Sequence, residues 1–121
     1  MSSRPQVDRS TVLSAAIDAA PVCVFVADVE MRYLAVNAYA CELLGYSEGE
    51  LLEMKVPDVA SYAEAPEEYA TMMSAAYLSG VSRLRCKDGE ELILRYVAGE
   101  VDFDGVPAFV SIGVAEFVSD D

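Results

Sequence analysis

Asn37-Ala-Tyr-Ala-Cys-Glu-Leu-Leu-Gly-Tyr-Ser-Glu-Gly-Glu-Leu-Leu52 is the stretch that decides how the rest of the chain must fold. It reads as a strand end, a short helix, a break at Gly45-Tyr46 and a second short helix. Asn37 can cap the first helix, because its side-chain oxygen accepts a hydrogen bond from a free amide in the first turn. Gly45 can adopt the left-handed conformation that ends that helix. Ser47 can cap the second, and Glu50 three residues later completes a capping box. Helices this short are not stable alone, since nucleation is costly. They need a sheet before and after them in sequence.

Both flanks supply one. Upstream, Val22-Cys-Val-Phe-Val-Ala27 is a continuous apolar run rich in β-branched residues, which reads as a buried strand. Asp28 to Met31 connects it to a second strand, Arg32 to Asn37. Downstream, Val81 to Cys86 and Glu91 to Ala98 are joined by Lys87-Asp-Gly-Glu90, and an Asp-Gly turn between such runs signals a hairpin. Asp102-Phe-Asp-Gly105 is a second turn of this kind, leading into a last strand from about Val106 to Val118. Between the two halves, Pro57-Asp58 can start a short helical turn. Ala65-Pro66-Glu67-Glu68 opens a longer helix with Tyr69, Met72, Met73, Ala76 and Tyr77 on one face, ended by Gly80. Ahead of everything, Asp8 or Ser10 caps a helix running to Ala20, with Val12, Leu13, Ala16 and Ile17 at helical spacing and Pro21 as its stop. Strands grouped on either side of a block of helices predict an α+β domain with an antiparallel sheet.

Composition narrows the function. The 121 residues suit one domain, and 54% are apolar, enough for a core without staples. Eight basic residues against 21 acidic give a net charge of −13, which repels nucleic acid and anionic lipid. There is no histidine, which removes histidine-ligated haem, Ser-His hydrolysis and most zinc chemistry. Cys23, Cys41 and Cys86 form no C-x-x-C motif, so neither a disulfide framework nor a zinc site is expected, and a reduced cytoplasmic setting is. Residues 1–7 are polar and expected to be disordered; 8–20 form the flanking helix, 21–118 the domain and 119–121 an acidic tail.

The pattern N-x(7)-G-Y-S-x-x-E-L-L, with Arg85-x-Lys87-Asp88-Gly89 and Gly105-x-Pro107 downstream, resembles the PAS domain family of sensory modules. The resemblance covers roughly Pro21 to Val118. It implies a PAS fold: a five-stranded antiparallel sheet with helices packed on one face and an N-terminal flanking helix. In the family that helix packs on its own sheet or pairs with a second subunit. Tyr39 departs from the family, where a small residue is usual, as does Glu53, where glycine is usual. The family's closing Asp-Ile-Thr, which couples the sheet to an output helix, is replaced by Glu116-Phe117-Val118.

A PAS fold cups its sheet around its helices and leaves a central pocket. Alternation and the family likeness assign inward positions to Cys23, Phe25 and Ala27, to Ser82, Leu84 and Cys86, and to Leu92, Leu94, Tyr96 and Ala98. On the last strand Val110, Ile112 and Val114 are taken as inward, with Phe109, Ser111 and Gly113 as the other parity. Helical walls come from Leu44, Leu52, Met54, Val56, Val59, Met73 and Tyr77. The lining is apolar with a few hydroxyls, the make-up of a small-molecule site and equally of a filled core.

Flavin photosensors of the family carry a reactive cysteine where this chain has Val56, and their flavin-contacting polar groups fall on Leu84, Leu94 and Val114. Haem-binding members need an axial histidine. Dicarboxylate-binding relatives need inward basic residues, whereas Arg83, Arg85 and Arg95 alternate outward. The expectation is therefore no haem, no photoactive flavin and no metal. In their place stands a small apolar or phenolic ligand contacted by Phe25, Ala27, Tyr39, Leu44, Leu52, Met54, Val56, Met73, Tyr77, Leu84, Leu94, Tyr96, Ile112 and Val114. Tyr39, Tyr77, Ser82 or Tyr96 would meet its hydroxyl.

Two other classes compete. A small isomerase-like enzyme would need a carboxylate in the pocket, and every inward position assigned above is uncharged, so no catalytic residue is assigned. A ligand-free dimerisation module would use the N-terminal helix and the outer sheet face, including Ile93 and Val97. The reading is a sensor of a bacterial-type signalling protein, homodimeric through that helix and face, without nucleic acid or membrane as partner. The chain is expected to act on an output domain in cis or on a partner protein, either as a piece of a larger protein or as a lone regulator.

Overall fold

Two turns that accept positive φ set the geometry of the sheet in a computed structural model describing residues 8–60 and 77–118, with the backbone only at 77 and 78. Asp104 and Gly105 have φ of 51° and 91°, the pairing that matches the twist of a two-residue hairpin. They join β4 (Glu91–Phe103) to β5 (Val106–Phe117), with Phe103 facing Val106. Gly89, with φ of 94°, closes the other hairpin, where its N–H donates to Cys86 O at 3.0 Å. That hairpin joins β3 (Tyr77–Arg85) to β4.

The remaining strands are β1 (Cys23–Asp28) and β2 (Tyr33–Val36). The five strands lie in the order β2-β1-β5-β4-β3, and every neighbouring pair is antiparallel. The helices are α1 (Arg9–Ala19), α2 (Ala38–Leu44), α3 (Glu48–Leu51) and α4 (Val56–Val59). Ala40, Leu44, Leu51 and Val59 from the short helices share one buried cluster with Cys23, Phe25, Leu84, Leu92 and Leu94 from the strands. The chain thus forms the expected α+β architecture: a five-stranded antiparallel sheet, helices on one face and a helix at the N-terminus.

Sequence and structure differ at the start of β3. The expected helix through Gly80 does not reach that far: Tyr77 to Gly80 pair with Gly99 to Tyr96. Because β4 runs on to Phe103, its extra backbone groups need partners, and a ladder supplies them. The rest of that expected helix, with Tyr69, Met72, Met73 and Ala76, lies outside the described residues, as do 1–7 and 119–121.

Asp8 caps α1 by accepting from Thr11 N–H at 3.3 Å. No residue of α1 is buried, and Val12, Leu13 and Ile17 are 49%, 49% and 45% exposed. In the single chain α1 therefore does not cover its own sheet with this stripe.

Candidate functional site

The inner face of the sheet is read from the pairing. Tyr96 stands opposite Gly80 on one side and Gly113 on the other, and Gly113 faces Cys23. One row up, Ala98 faces Ser111, which faces Phe25. One row down, Leu94 lies between Ser82 and Ala115. Neighbours across a ladder share a face, so the middle of this floor is small: Ala98, Ser111, Gly113 and Ala115. Phe25, Phe109, Leu94 and Tyr96 stand around it. The packing follows the same division. Leu84, Leu92 and Leu94 belong to the main core, while Ala27, Ala98 and Phe109 form a second cluster. Val56 and Tyr96 touch both clusters.

Gly113 has a steric reason to be glycine. A Cβ there would lie 2.6 Å from Arg95 O and 2.8 Å from Leu94 Cδ1, a backbone clash no rotamer relieves. It therefore occupies an inward position without any hydrophobic signal. This corrects the parity expected for β5. Phe109 is buried, whereas Ile112 and Val114 are 48% and 55% exposed on the outer face and cannot line an inner pocket. Val114 consequently does not occupy the flavin-contacting position it was assigned.

The other expected site residues fall as follows. Phe25, Ala27, Leu44, Leu84 and Leu94 are buried, between 0% and 7% exposed. Tyr39, Met54, Val56 and Tyr96 are half-buried against the core. Leu52 is 39% exposed while Leu51 is fully buried, so the wall from α3 is Leu51. Tyr77 is a strand residue, not a helical wall, and Met73 lies outside the described residues. The sequence reading missed Tyr33, which is 5% exposed with its ring 5.7 Å from that of Phe25. Burial, and secondarily the charge of Asp58, push the Tyr33 phenol far up. Its alternation in β2 is obscured by the register shift between Val26 and Ala27. Arg85 and Arg95 are exposed and point outward, as expected.

Asn37 ties the site to its surroundings. Its Oδ1 accepts from Val24 N–H at 3.0 Å and Ala40 N–H at 3.2 Å. Its Nδ2 donates to Ile17 O and Val22 O, both at 2.8 Å. The capping residue thus links α1, β1 and α2 while satisfying its own buried amide. The expected capping box also forms, and Glu50 reaches Lys87 Nζ at 2.7 Å. Lys87 N–H in turn donates to Leu44 O at 2.8 Å. Asn37, Gly45, Ser47, Glu50 and the Lys87-Asp88-Gly89 turn, distant in sequence, belong to one connected unit.

Away from the inner face, a groove of about 410 Å³ runs between the end of α2 and the β3–β4 turn, lined by residues including Leu43, Gly45, Lys87, Asp88 and Phe117. A hollow of about 380 Å³ on the β3–β4 pair is lined by Ser79, Gly80, Val81, Arg95, Tyr96 and Val97, and so takes in two residues of the inner face as well. Among the described residues no helix is long and apolar enough to cross a membrane.

A family model described as a PAS domain matches residues 11–76. With more than half its length matched and this topology, the chain belongs to the PAS domain family. It is similar to the PAS domain of an HTR-like protein from Haloarcula marismortui, at 21% identity, 90% of this chain and 91% of that one, TM-score 0.77. It is also similar to a PAS domain from a two-component sensor histidine kinase, at 16% identity, 88% and 96% coverage, TM-score 0.81. A domain of the sensory box sensor histidine kinase/response regulator from Geobacter sulfurreducens is similar at 22% identity, 88% and 93% coverage, TM-score 0.76. At these identities the likeness is one of fold. No match is found among curated protein sequences.

Proposed function

We propose that this PAS domain is a cytoplasmic sensor that takes a small, uncharged apolar or phenolic ring against the inner face of its sheet. The observation carrying this reading is the absence of charge over the middle of the inner face, since Glu100, which pairs with Phe109 at the far end of that face, is exposed. From Cys23 to Ala27, Ser82 to Cys86, Leu92 to Ala98 and Phe109 to Ala115, every inward side chain is neutral. A charged ligand there faces an uncompensated desolvation cost. An apolar ring gains roughly 25 cal/mol per Å² of surface removed from water. The same neutrality supports binding over catalysis, since proton transfer needs a titratable group in reach. Neither haem nor a photoactive flavin enters this reading, because the chain has no histidine and holds Val56 at the position of the family's reactive cysteine.

The exposed stripe of α1 and the outer-face residues Val81, Val97, Ile112 and Val114 support a second element, a homodimer that relays occupancy to an output domain or partner protein. The test is a thermal-shift screen of neutral phenols, aromatic acids and polar metabolites, repeated on Leu94→Trp. Stabilisation by neutral aromatics, lost in a folded Leu94→Trp, supports the reading. Stabilisation by carboxylates alone contradicts it.

A further inference from the structure

We infer that Gly80 is the size filter of this site, acting through Tyr96. The inference rests on the ligand reading above and names the device that limits the ring it accepts. The two residues are directly paired across β3 and β4 and so share the inner face. A Cβ built on Gly80 would stand 2.8 Å from Tyr96 Oη, 3.1 Å from its Cζ and 3.4 Å from its Cε1. The tip of the phenol therefore occupies the space a side chain at 80 would fill. The ring leans across β3, away from Gly113 on its other side. In that posture Tyr96 leaves the strip over Ala98, Ser111 and Gly113 to other groups, and its half-buried edge meets both hydrophobic clusters.

The conformation of Gly80 does not require glycine, because its φ is not among the positive ones. Space is the constraint. Contacts below 3.0 Å force a shift, and here the yielding atom is the far end of a flexible side chain. A methyl group at 80 would lift the phenol off the sheet into the volume a ligand would use. The fold should tolerate this, since a ring tip can move where a backbone cannot. The capacity of the site should not.

The experiment compares phenol with the bicyclic naphthol, measuring affinity by calorimetry on wild type, Gly80→Ala, Tyr96→Ala and the double variant Gly80→Ala with Tyr96→Ala. Gly80→Ala should weaken naphthol by roughly tenfold relative to phenol, the ordinary consequence of an overpacked contact. Tyr96→Ala should shift the preference toward naphthol, and in that background Gly80→Ala should have no further effect. If wild type binds one or both probes and Gly80→Ala changes both equally, the filter is wrong and the ligand reading stands. If wild type binds neither, both fall. Should Gly80→Ala fail to fold, Tyr96→Ala decides: an unchanged preference overturns the filter.

Discussion

The side-chain amide of Asn37 donates to the main-chain carbonyl of Ile17 at 2.8 Å, so the residue that caps the first short helix also fastens the N-terminal helix to the domain. Asn37 is 2% exposed, and removing its side chain strands two carbonyls and two amides. Orphaned buried groups carry most of the cost of a lost hydrogen bond. Asn37→Ala should therefore lose about 2–4 kcal/mol of stability in urea unfolding. Hydrogen exchange should quicken in α1 before it does in β4 and β5. A loss under about 1 kcal/mol contradicts the linking role.

A second polar centre predicts an acid response. Burial works to raise the Asp28 pKa, but hydrogen bonds from Arg32 and Glu30, with the Arg32 charge, outweigh it and hold the carboxyl below its ordinary value. A depressed carboxylate contributes stability that is present above its unfolded pKa of about 3.9 and is lost as pH falls through the folded value. The melting temperature should fall on acidification below about pH 4, and Asp28→Asn should fall less steeply. At neutral pH the variant should be less stable by about 1–3 kcal/mol, the loss of charge-assisted bonds to a nearly buried group. Identical acid slopes in the two proteins would rule out Asp28 as the source.

The cysteines should separate by reactivity. Desolvation pushes the Cys23 thiol up to about 11. Cys86 is also raised, by burial and then by Asp88 and Glu90. Cys41 is raised too, by desolvation and then by Glu48, Asp18 and Glu42, but only this thiol is partly exposed. The thiolate is the reactive form, so folded protein at pH 8 should be alkylated first at Cys41. Cys23 should label only on unfolding. Mass spectrometry after an alkylation pulse reads this, and early labelling of Cys23 contradicts its place in the core.

The parity of β5 puts Ile112 on the outer face, opposite to the face on which Leu94 of β4 is buried. Ile112→Lys falls on the outer face and should change monomer stability by less than about 0.5 kcal/mol, while weakening any dimer formed through that face. Leu94→Ala, 4% exposed in the core, should cost about 2–5 kcal/mol. Urea unfolding and light scattering measure both. A large stability loss in a monomeric Ile112→Lys contradicts the assigned parity.

Much of this fold was legible because local chemistry leaves marks. Asp104-Gly105 announced its hairpin, and Ser47 with Glu50 announced a helix start. The parity of β5 was not legible, because both its faces are apolar enough: Val110, Ile112 and Val114 read as inward, with Phe109, Ser111 and Gly113 as the open alternative. The clue was steric, namely that no side chain fits between Leu94 and the Arg95 carbonyl. Leu51 and Leu52 were indistinguishable because a four-residue helix gives no period. Tyr77 was misread because its helical spacing was visible and its ladder partner Gly99 was not.

The central claim concerns the inner face, and a methyl-resolved NMR titration with phenol tests it most directly. The account predicts that the methyls of Ala98, Leu94 and Val56 shift with saturation, while those of Val81, Ile112 and Val114 do not. No shift at any inward methyl, or shifts confined to the outer-face set, would contradict it.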